Sequence, residues 1–293
     1  MTNPHIAVVI LTKDEATNLP YCLRSLEGLS AEVFVIDCGS TDGTPELARS
    51  LGATVLSNPW TNYATQFNWA LDNISSSAGW VLRLDADEAL TPELRDELNR
   101  LAGAPASVAG GMVRLRIHFL GRWIRHGGMY PTWLLRVWRR GAGRCEDRWM
   151  DEHVSLDSGA TVKIHADLVH ENRKGLTHWI EKHNGYAIRE CRDLSSRHPT
   201  SDRLHGQAKA KRRLKEGFYR RFPLFIRAWL YWAYRYLLRA GFLDGAEGFA
   251  YHFFQALWYR SLVDAKLLEL RRSGEERLRP EGQASVSAPP SRT

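Results

Sequence analysis

Cysteine is scarce in this sequence: Cys22, Cys38, Cys145 and Cys191 are the only four in 293 residues, and no C-x-x-C pair occurs. Such spacing excludes a disulfide framework and fits a reducing compartment. No stretch of about 20 uncharged apolar residues exists, so no segment is expected to span a bilayer. The first apolar run, Ile6–Leu11, is too short for a signal peptide and is followed at once by Lys13, Asp14 and Glu15, which points to a cytoplasmic chain. Neither G-x-x-x-x-G-K-[ST] nor a G-x-G-x-x-G after the first apolar run is present, which argues against a P-loop kinase and a dinucleotide fold. Despite 11 histidines there is no H-E-x-x-H.

What is present is charge, unevenly spread, and tryptophan. The net charge of +7 divides into 6 basic against 14 acidic groups in residues 1–100, 16 against 11 in 101–202, and 15 against 5 in 203–272. An acidic front and a basic back imply two separate tasks. Eleven tryptophans with a basic balance suit nucleic acid, a membrane surface or a phosphorylated ligand. Nothing else in the chain resembles a nucleic-acid module, so no nucleic-acid partner is expected.

The first hundred residues alternate between two periodicities. Apolar β-branched runs at Ile6–Leu11, Val33–Ile36, Thr54–Leu56 and Trp80–Leu84 read as strands. Between and after them, the stretch around Leu19–Leu26, then Thr41–Leu51, Tyr63–Ile74 and Pro92–Leu101 read as helices. That alternation predicts βαβ units on a mostly parallel sheet, an α/β fold. Gly103–Gly111 reads as a loop, followed by strands at Met112–Leu120, Trp133–Trp138, Glu152–Leu156 and Thr161–Ala166 and a helix at Leu176–Cys191. We divide the chain into residues 1–102 and 103–200, a helical basic and aromatic extension at 201–279, and a polar tail at 280–293 that reads as disordered.

In an open parallel sheet, ligands bind beyond the carboxyl ends of the strands. Those ends here carry Thr12-Lys13-Asp14-Glu15, then Asp37-Cys38-Gly39-Ser40, then Asp85-Ala86-Asp87-Glu88. Carboxylates gathered in one place repel unless a cation compensates them. Asp-x-Asp at a strand end can turn oxygens toward one hard divalent ion that takes its other ligands from water and a diphosphate.

The motifs I-L-T-K-D-E-A-x-N-L, V-I-D-C-G-S-T-D-G-T, Q-F-N-W-A-L and W-V-L-R-L-D-A-D-E, in that order, resemble glycosyltransferase family 2, with the GT-A fold, and in particular its lipopolysaccharide-core and exopolysaccharide branch. Asp14 departs from the family pattern, where Asn is commoner. The resemblance implies an inverting transfer from a nucleoside-diphosphate sugar, UDP-linked, to a glycan or lipid-linked acceptor. It implies that Thr12, Glu15 and Asp37 line the nucleoside pocket, which Asn68 and Gln66 close. Asp85 would lie near ribose and metal, with Asp87 the direct ligand of manganese or magnesium. In the V-H-E-x-V context of that branch, the segment Met150-Asp151-Glu152-His153-Val154 makes Glu152 the base that takes the acceptor proton, with Asp151 its rival. His170 would be a further metal or diphosphate ligand, and Lys182, within K-x-N-x-Y, a phosphate contact.

Two other readings stand beside this one: a sugar-1-phosphate nucleotidyltransferase, which would want a glycine-rich basic loop after the first strand, and a non-catalytic glycan- or lipid-binding scaffold. Thr12–Asn18 has no glycine, and the Asp-x-Asp is intact.

From Arg203 the chain is basic and aromatic, and Arg227, Tyr231, Arg235 and Arg239 fall four apart as a polar stripe beside a wide apolar face. Such a helix suits an anionic membrane surface, peripheral to the inner face of the cytoplasmic membrane, or burial against the rest of the chain or a second copy in a homodimer.

Overall fold

The computed structural model describes residues 5–146, 154–195 and 222–273. Ile6–Thr12 forms β1, whose alternate side chains enter two different cores: Ile6, Val8 and Ile10 on one face, Ala7 and Val9 on the other. A strand buried on both faces must lie inside a sheet, as its continuous apolar run requires. β2 (Ala31–Asp37) and β4 (Trp80–Asp85) flank β1 in parallel register, and β3 (Thr54–Ser57) pairs with β2. The intervening helices are α1 (Leu19–Ser25), α2 (Thr44–Ser50) and α3 (Tyr63–Asn73), and α4 (Pro92–Asn99) leads on to the second half. α3 and α4 begin where the Asn62 and Thr91 side chains accept the backbone N–H of Thr65 and Leu94, which would otherwise lack partners.

The sheet then continues with strands from later in the chain: β5 (Glu88–Leu90), β6 (Val108–Phe119), β7 (Arg122–Trp123), β8 (Thr132–Arg139) and β11 (Ala160–His170). β9 (Gly143–Cys145) and β10 (Val154–Leu156) form a separate ribbon. The order across the main sheet is β3-β2-β1-β4-β8-β6-β11-β5, with β7 hairpinned to β6. Only β5, β7 and β8 run against the others, so the expected mostly parallel α/β sheet is what forms.

The segment read as a Gly-rich loop is in part strand: β6 begins at Val108 and passes through Gly110 and Gly111. A Cβ on Gly111 would stand 2.7 Å from both Ile164 and Val137, whose side chains fill that space. Glycine there is a packing requirement of the central strand.

The described part of the C-terminal region is helical, as its periodicity predicts. α5 (Gly175–Ser195) packs on α8 (Tyr259–Ser273) through Ala187, Cys191, Tyr259, Val263 and Leu267. Between them lie α6 (Ile226–Ala233), which runs on into a π-helical turn at Tyr234–Leu238, and α7 (Gly245–His252), followed by a second π-turn at Phe253–Trp258. Phe119, Ile124 and Tyr251 join this unit to the β6–β7 hairpin. His252 is fully buried against Gly127 and Gly241, an approach that a side chain on either glycine would block. Burial, with Arg235 adding to it, pushes the His252 imidazole down to about 4, so it sits in the fold as a neutral ring.

Candidate active site

The loops after β1 and β2 are built around each other. Asp14 and Gly39 both have left-handed backbones, with φ of 54° and 88°. This turn lets the Asp14 N–H donate to the Ser40 hydroxyl at 2.7 Å, while the Thr41 N–H returns to the Asp14 carboxylate at 2.7 Å. Aspartate tolerates this conformation about as well as asparagine, so the departure at this position is structurally silent. Asp37 accepts from the Thr12 hydroxyl at 3.0 Å, the Gly39 and Ser40 N–H groups at 2.8 and 2.9 Å, and the Ser40 hydroxyl at 2.5 Å. Burial alone would raise the Asp37 carboxyl, but the Ser40 and Gly39 hydrogen bonds outweigh it and hold the group below its ordinary value. With these four donors in place, Asp37 fixes the shape of the loop.

Glu15 is held by Lys174 Nζ at 2.7 Å and by the Asn18 amide at 2.8 Å, and Asn18 in turn accepts the Arg173 N–H at 2.8 Å. The first loop is therefore fastened to the segment that follows β11, so sequence-distant residues form one rim.

At the end of β4 the chain reverses tightly into β5, and β5 pairs antiparallel with the end of β11, setting Glu88 opposite His170. This pairing brings Asp87 against His170, with Oδ1 and Nδ1 3.5 Å apart, and the Glu171 N–H donates to the Asp87 carbonyl at 2.9 Å. The other Asp87 oxygen lies 3.7 Å from Lys182 Nζ, on α5, and 3.3 Å from the Asn172 amide. Burial disfavours the Asp87 charge, but His170 and Lys182 more than offset this and hold the carboxyl below its usual range.

Asp85 is occupied differently. It accepts from the Tyr63 hydroxyl at 2.9 Å and from Arg136 at 3.1 Å. Arg136 also donates to Glu88, whose second oxygen takes the Asp85 N–H at 2.9 Å. Burial would raise the Asp85 carboxyl, but Arg136 and Arg83 pull it well down; Glu88, buried beside other carboxylates, is pushed up despite Arg136. Arg83 itself lies over the Tyr63 ring, 4.2 Å from its centre.

Arg136 thus bridges Asp85 and the buried Glu88, which sets up a direct test. Removing one partner of a buried ion pair leaves an uncompensated charge at a cost of about 3–5 kcal/mol. Arg136→Met is expected to lower the thermal midpoint by roughly 6–15 °C, and adding Glu88→Gln to it should recover part of the loss. Scanning calorimetry of the single and double variants checks both; equal midpoints for Arg136→Met and the native chain would refute the triad.

Of the sequence-predicted residues, the structure brings Asp85, Asp87, His170 and Lys182 together, with Thr12, Glu15 and Asp37 along the adjoining loops. Asn68 and Gln66 are engaged elsewhere. Asn68 exchanges two 3.0 Å hydrogen bonds with the backbone of Cys145, tying α3 to β9. Gln66 is buried and pairs with Asn58, just beyond β3. Glu152 and Asp151 lie outside the described residues. Sequence reasoning missed Tyr63, Arg136, Asn172 and Lys174, and gave Glu88, named at the strand end, no role. Arg83 and Arg136 did carry a signal, each being the lone charge inside an apolar strand run.

The donor set suits a hard divalent cation. Among the described residues no three carboxylate, imidazole or thiol groups are placed to hold a metal ion by themselves. Asp87 and His170 do face each other at 3.5 Å, and the contacts of the Asp87 carboxylate with Asn172 and Lys182 are long, at 3.3 and 3.7 Å. One or two protein ligands with the remaining positions left to phosphate and water is the manner in which manganese- or magnesium-sized ions are bound beside nucleotides.

Comparison with known proteins bears on this arrangement. The chain is 30% identical to the lipopolysaccharide core biosynthesis glycosyltransferase LpsC of Rhizobium meliloti over 175 residues, 58% of this chain and 59% of that one. It is 41% identical over 93 residues to an uncharacterized glycosyltransferase of Rickettsia bellii, 32% of this chain and 31% of that one. The chain therefore spans about a third of the length of that Rickettsia relative. Among solved structures it is similar to the mannosyltransferase PcManGT of Pyrobaculum calidifontis in complex with GDP-Man and Mn2+, at a TM-score of 0.49 and 15% identity over 94% of this chain and 88% of that one. The model of glycosyl transferase family 2 matches residues 7–169, more than half of the chain and the stretch from β1 into β11, and the protein belongs to that family.

Proposed function

We propose that this chain transfers a sugar, with inversion, from a UDP-linked donor to a glycan or lipid-linked acceptor in the synthesis of cell-envelope polysaccharide, at the inner face of the cytoplasmic membrane. The observation that carries the reading is the Asp87–His170–Lys182 cluster at the carboxyl end of β4, where a parallel sheet receives its ligand. The name of the LpsC relative supports the envelope assignment.

In this reading Asp87 and His170 hold manganese or magnesium, which when bound supplies Lewis-acid neutralisation of the departing diphosphate. The Lys182 ammonium is held cationic beside Asp87 and meets the same diphosphate. Arg136 and Tyr63 keep the Asp85 carboxylate ionised and aimed, toward ribose and metal. The rim made by Thr12, Glu15 and Asp37 receives the nucleoside, and Asn68 and Gln66 brace the helix and loop behind it. Glu152 takes the proton from the acceptor hydroxyl as its oxygen bonds to the anomeric carbon and the bond to the diphosphate oxygen breaks; Asp151 is the neighbouring alternative.

The test is a thermal-unfolding panel of nucleoside diphosphates with manganese or magnesium. UDP with metal is expected to stabilise the chain, by about 2.7 kcal/mol at 100 times its dissociation constant, and a chelator should abolish most of that gain. No shift with any nucleoside diphosphate in the presence of metal would sink the proposal.

A further inference from the structure

The helix at Ile226–Leu238 is turned inside out. Arg227 is 6% exposed and donates from Nε to Asp264 at 2.8 Å, and Asp264 is itself fully buried. Arg235, one helical turn beyond Tyr231, donates to the Tyr231 hydroxyl at 2.7 Å and lies on Met129. The opposite face is apolar and points outward: Ile226, Trp229, Leu230, Leu237 and Leu238 are between 49% and 80% exposed. Phe242, Leu243, Phe249 and Phe253 extend the patch onto the next turn and α7. Of the fifteen large apolar side chains exposed among the described residues, eleven lie between Phe225 and Phe253.

The four-apart arginine stripe read from the sequence as the outer cationic edge is therefore, for Arg227 and Arg235, an inner one. A helix in water buries its apolar stripe and solvates its charges, and exposed apolar side chains concentrated in one segment in this way mark a docking face. No described helix is long and apolar enough to cross a membrane.

We propose that this face docks on the surface of an anionic lipid bilayer, with Ile226, Trp229, Leu230, Leu237 and Leu238 set among the outer acyl carbons and the helix axis lying in the membrane plane. Charge selects lipid over a second copy of the chain. The sequence from residue 203 to 221, which leads directly into this helix, holds 8 basic residues and 1 acidic. A second copy carries the same excess of positive charge, whereas anionic headgroups neutralise it. Trp229 and Tyr234 each carry one polar atom on an apolar body, the residue types that settle at headgroup level.

The docking face is tied to the catalytic half of the molecule. The His126 N–H and ring bind Asp244, both near 2.8 Å, and the Gly127 N–H donates to the Arg239 carbonyl at 2.9 Å. α8 packs on α5, the helix that carries Lys182. A docked helix would thereby orient the strand-end site relative to the membrane. The proposal rests on the inverted helix and not on the transfer chemistry.

The experiment is co-sedimentation of the intact chain with phosphatidylcholine vesicles, with and without phosphatidylglycerol, at low and high salt. The native chain is expected to pellet with anionic vesicles at low salt and to stay partly bound at high salt, because the apolar contact is not screened. The triple variant Ile226→Ser, Trp229→Ser, Leu238→Ser is expected to lose about tenfold or more in vesicle affinity. Its thermal midpoint and its UDP-induced shift should be unchanged, since these side chains are exposed. Absence of native binding to anionic vesicles at low salt overturns the proposal, and so does a triple variant that binds as well as the native chain. A native dimer in sedimentation velocity that the triple variant converts to monomer, without vesicle binding by either, also overturns it and assigns the face to a second copy.

Discussion

Asp87→Ala is expected to lower the turnover number by about three orders of magnitude while leaving the fold intact. Charge neutralisation at a departing diphosphate contributes several kcal/mol to transition-state stabilisation, and each 1.36 kcal/mol is a factor of ten in rate; losing about 4 kcal/mol gives that figure. The variant separates chemistry from stability because of how Asp87 is held. Its carboxylate is nearly buried, yet its polar neighbours stand at 3.3 to 3.7 Å, distances of weak hydrogen bonds and loose ion pairs. Because His170 and Lys182 hold Asp87 ionised, removing it costs some stability, but at these distances the thermal midpoint should fall by only about 2 °C. His170 and Lys182 remain, and the loss of one anion between two cationic or neutral donors leaves no buried carboxylate uncompensated. Steady-state turnover measured beside calorimetry checks this. A variant that keeps a tenth of native turnover at saturating metal would remove Asp87 from the mechanism.

Glu152→Gln should be nearly as severe, with turnover reduced by about two to four orders of magnitude, the range that a general base contributes. Glutamine preserves size and hydrogen-bond reach but cannot take up the proton released by the acceptor hydroxyl. Donor binding uses other residues, so the UDP-induced thermal shift should be that of the native chain. Asp151→Asn is the control. In a strand, which the sequence predicts from Glu152 on, neighbours point to opposite faces, so the two variants are not expected to cripple proton transfer alike. Near-native turnover in Glu152→Gln together with collapse in Asp151→Asn would move the base by one residue.

The fold was legible in the sequence wherever an element was long enough to show a period. β1 could be read as doubly buried from six consecutive apolar residues, and its side chains do divide between two cores. β5, with three residues, and β7, with two, are too short to carry a period of two. Their effect is disproportionate, because the pairing of β5 with β11 is what sets Asp87 against His170. The start of β6 was hidden for another reason: its glycines answer to Ile164 and Val137 on neighbouring strands, so their meaning lies in partners that local sequence does not contain.

Sequence alone determined which chemistry the chain can attempt: carboxylates at successive strand ends, a mostly parallel sheet to present them, and an acidic front with a basic back. Local properties sufficed there, because strand and helix periods and strand-end polarity are written within a few residues of each other. Tertiary structure decided what each charge does. It assigned Asp85 to Arg136 and left Asp87 to His170 and Lys182, although the two aspartates are two residues apart. It also turned Arg227 inward to Asp264 and the apolar face of the same helix outward. The helical period defines two faces but carries no instruction about which one meets the protein; that is set by a buried carboxylate 37 residues further along the chain.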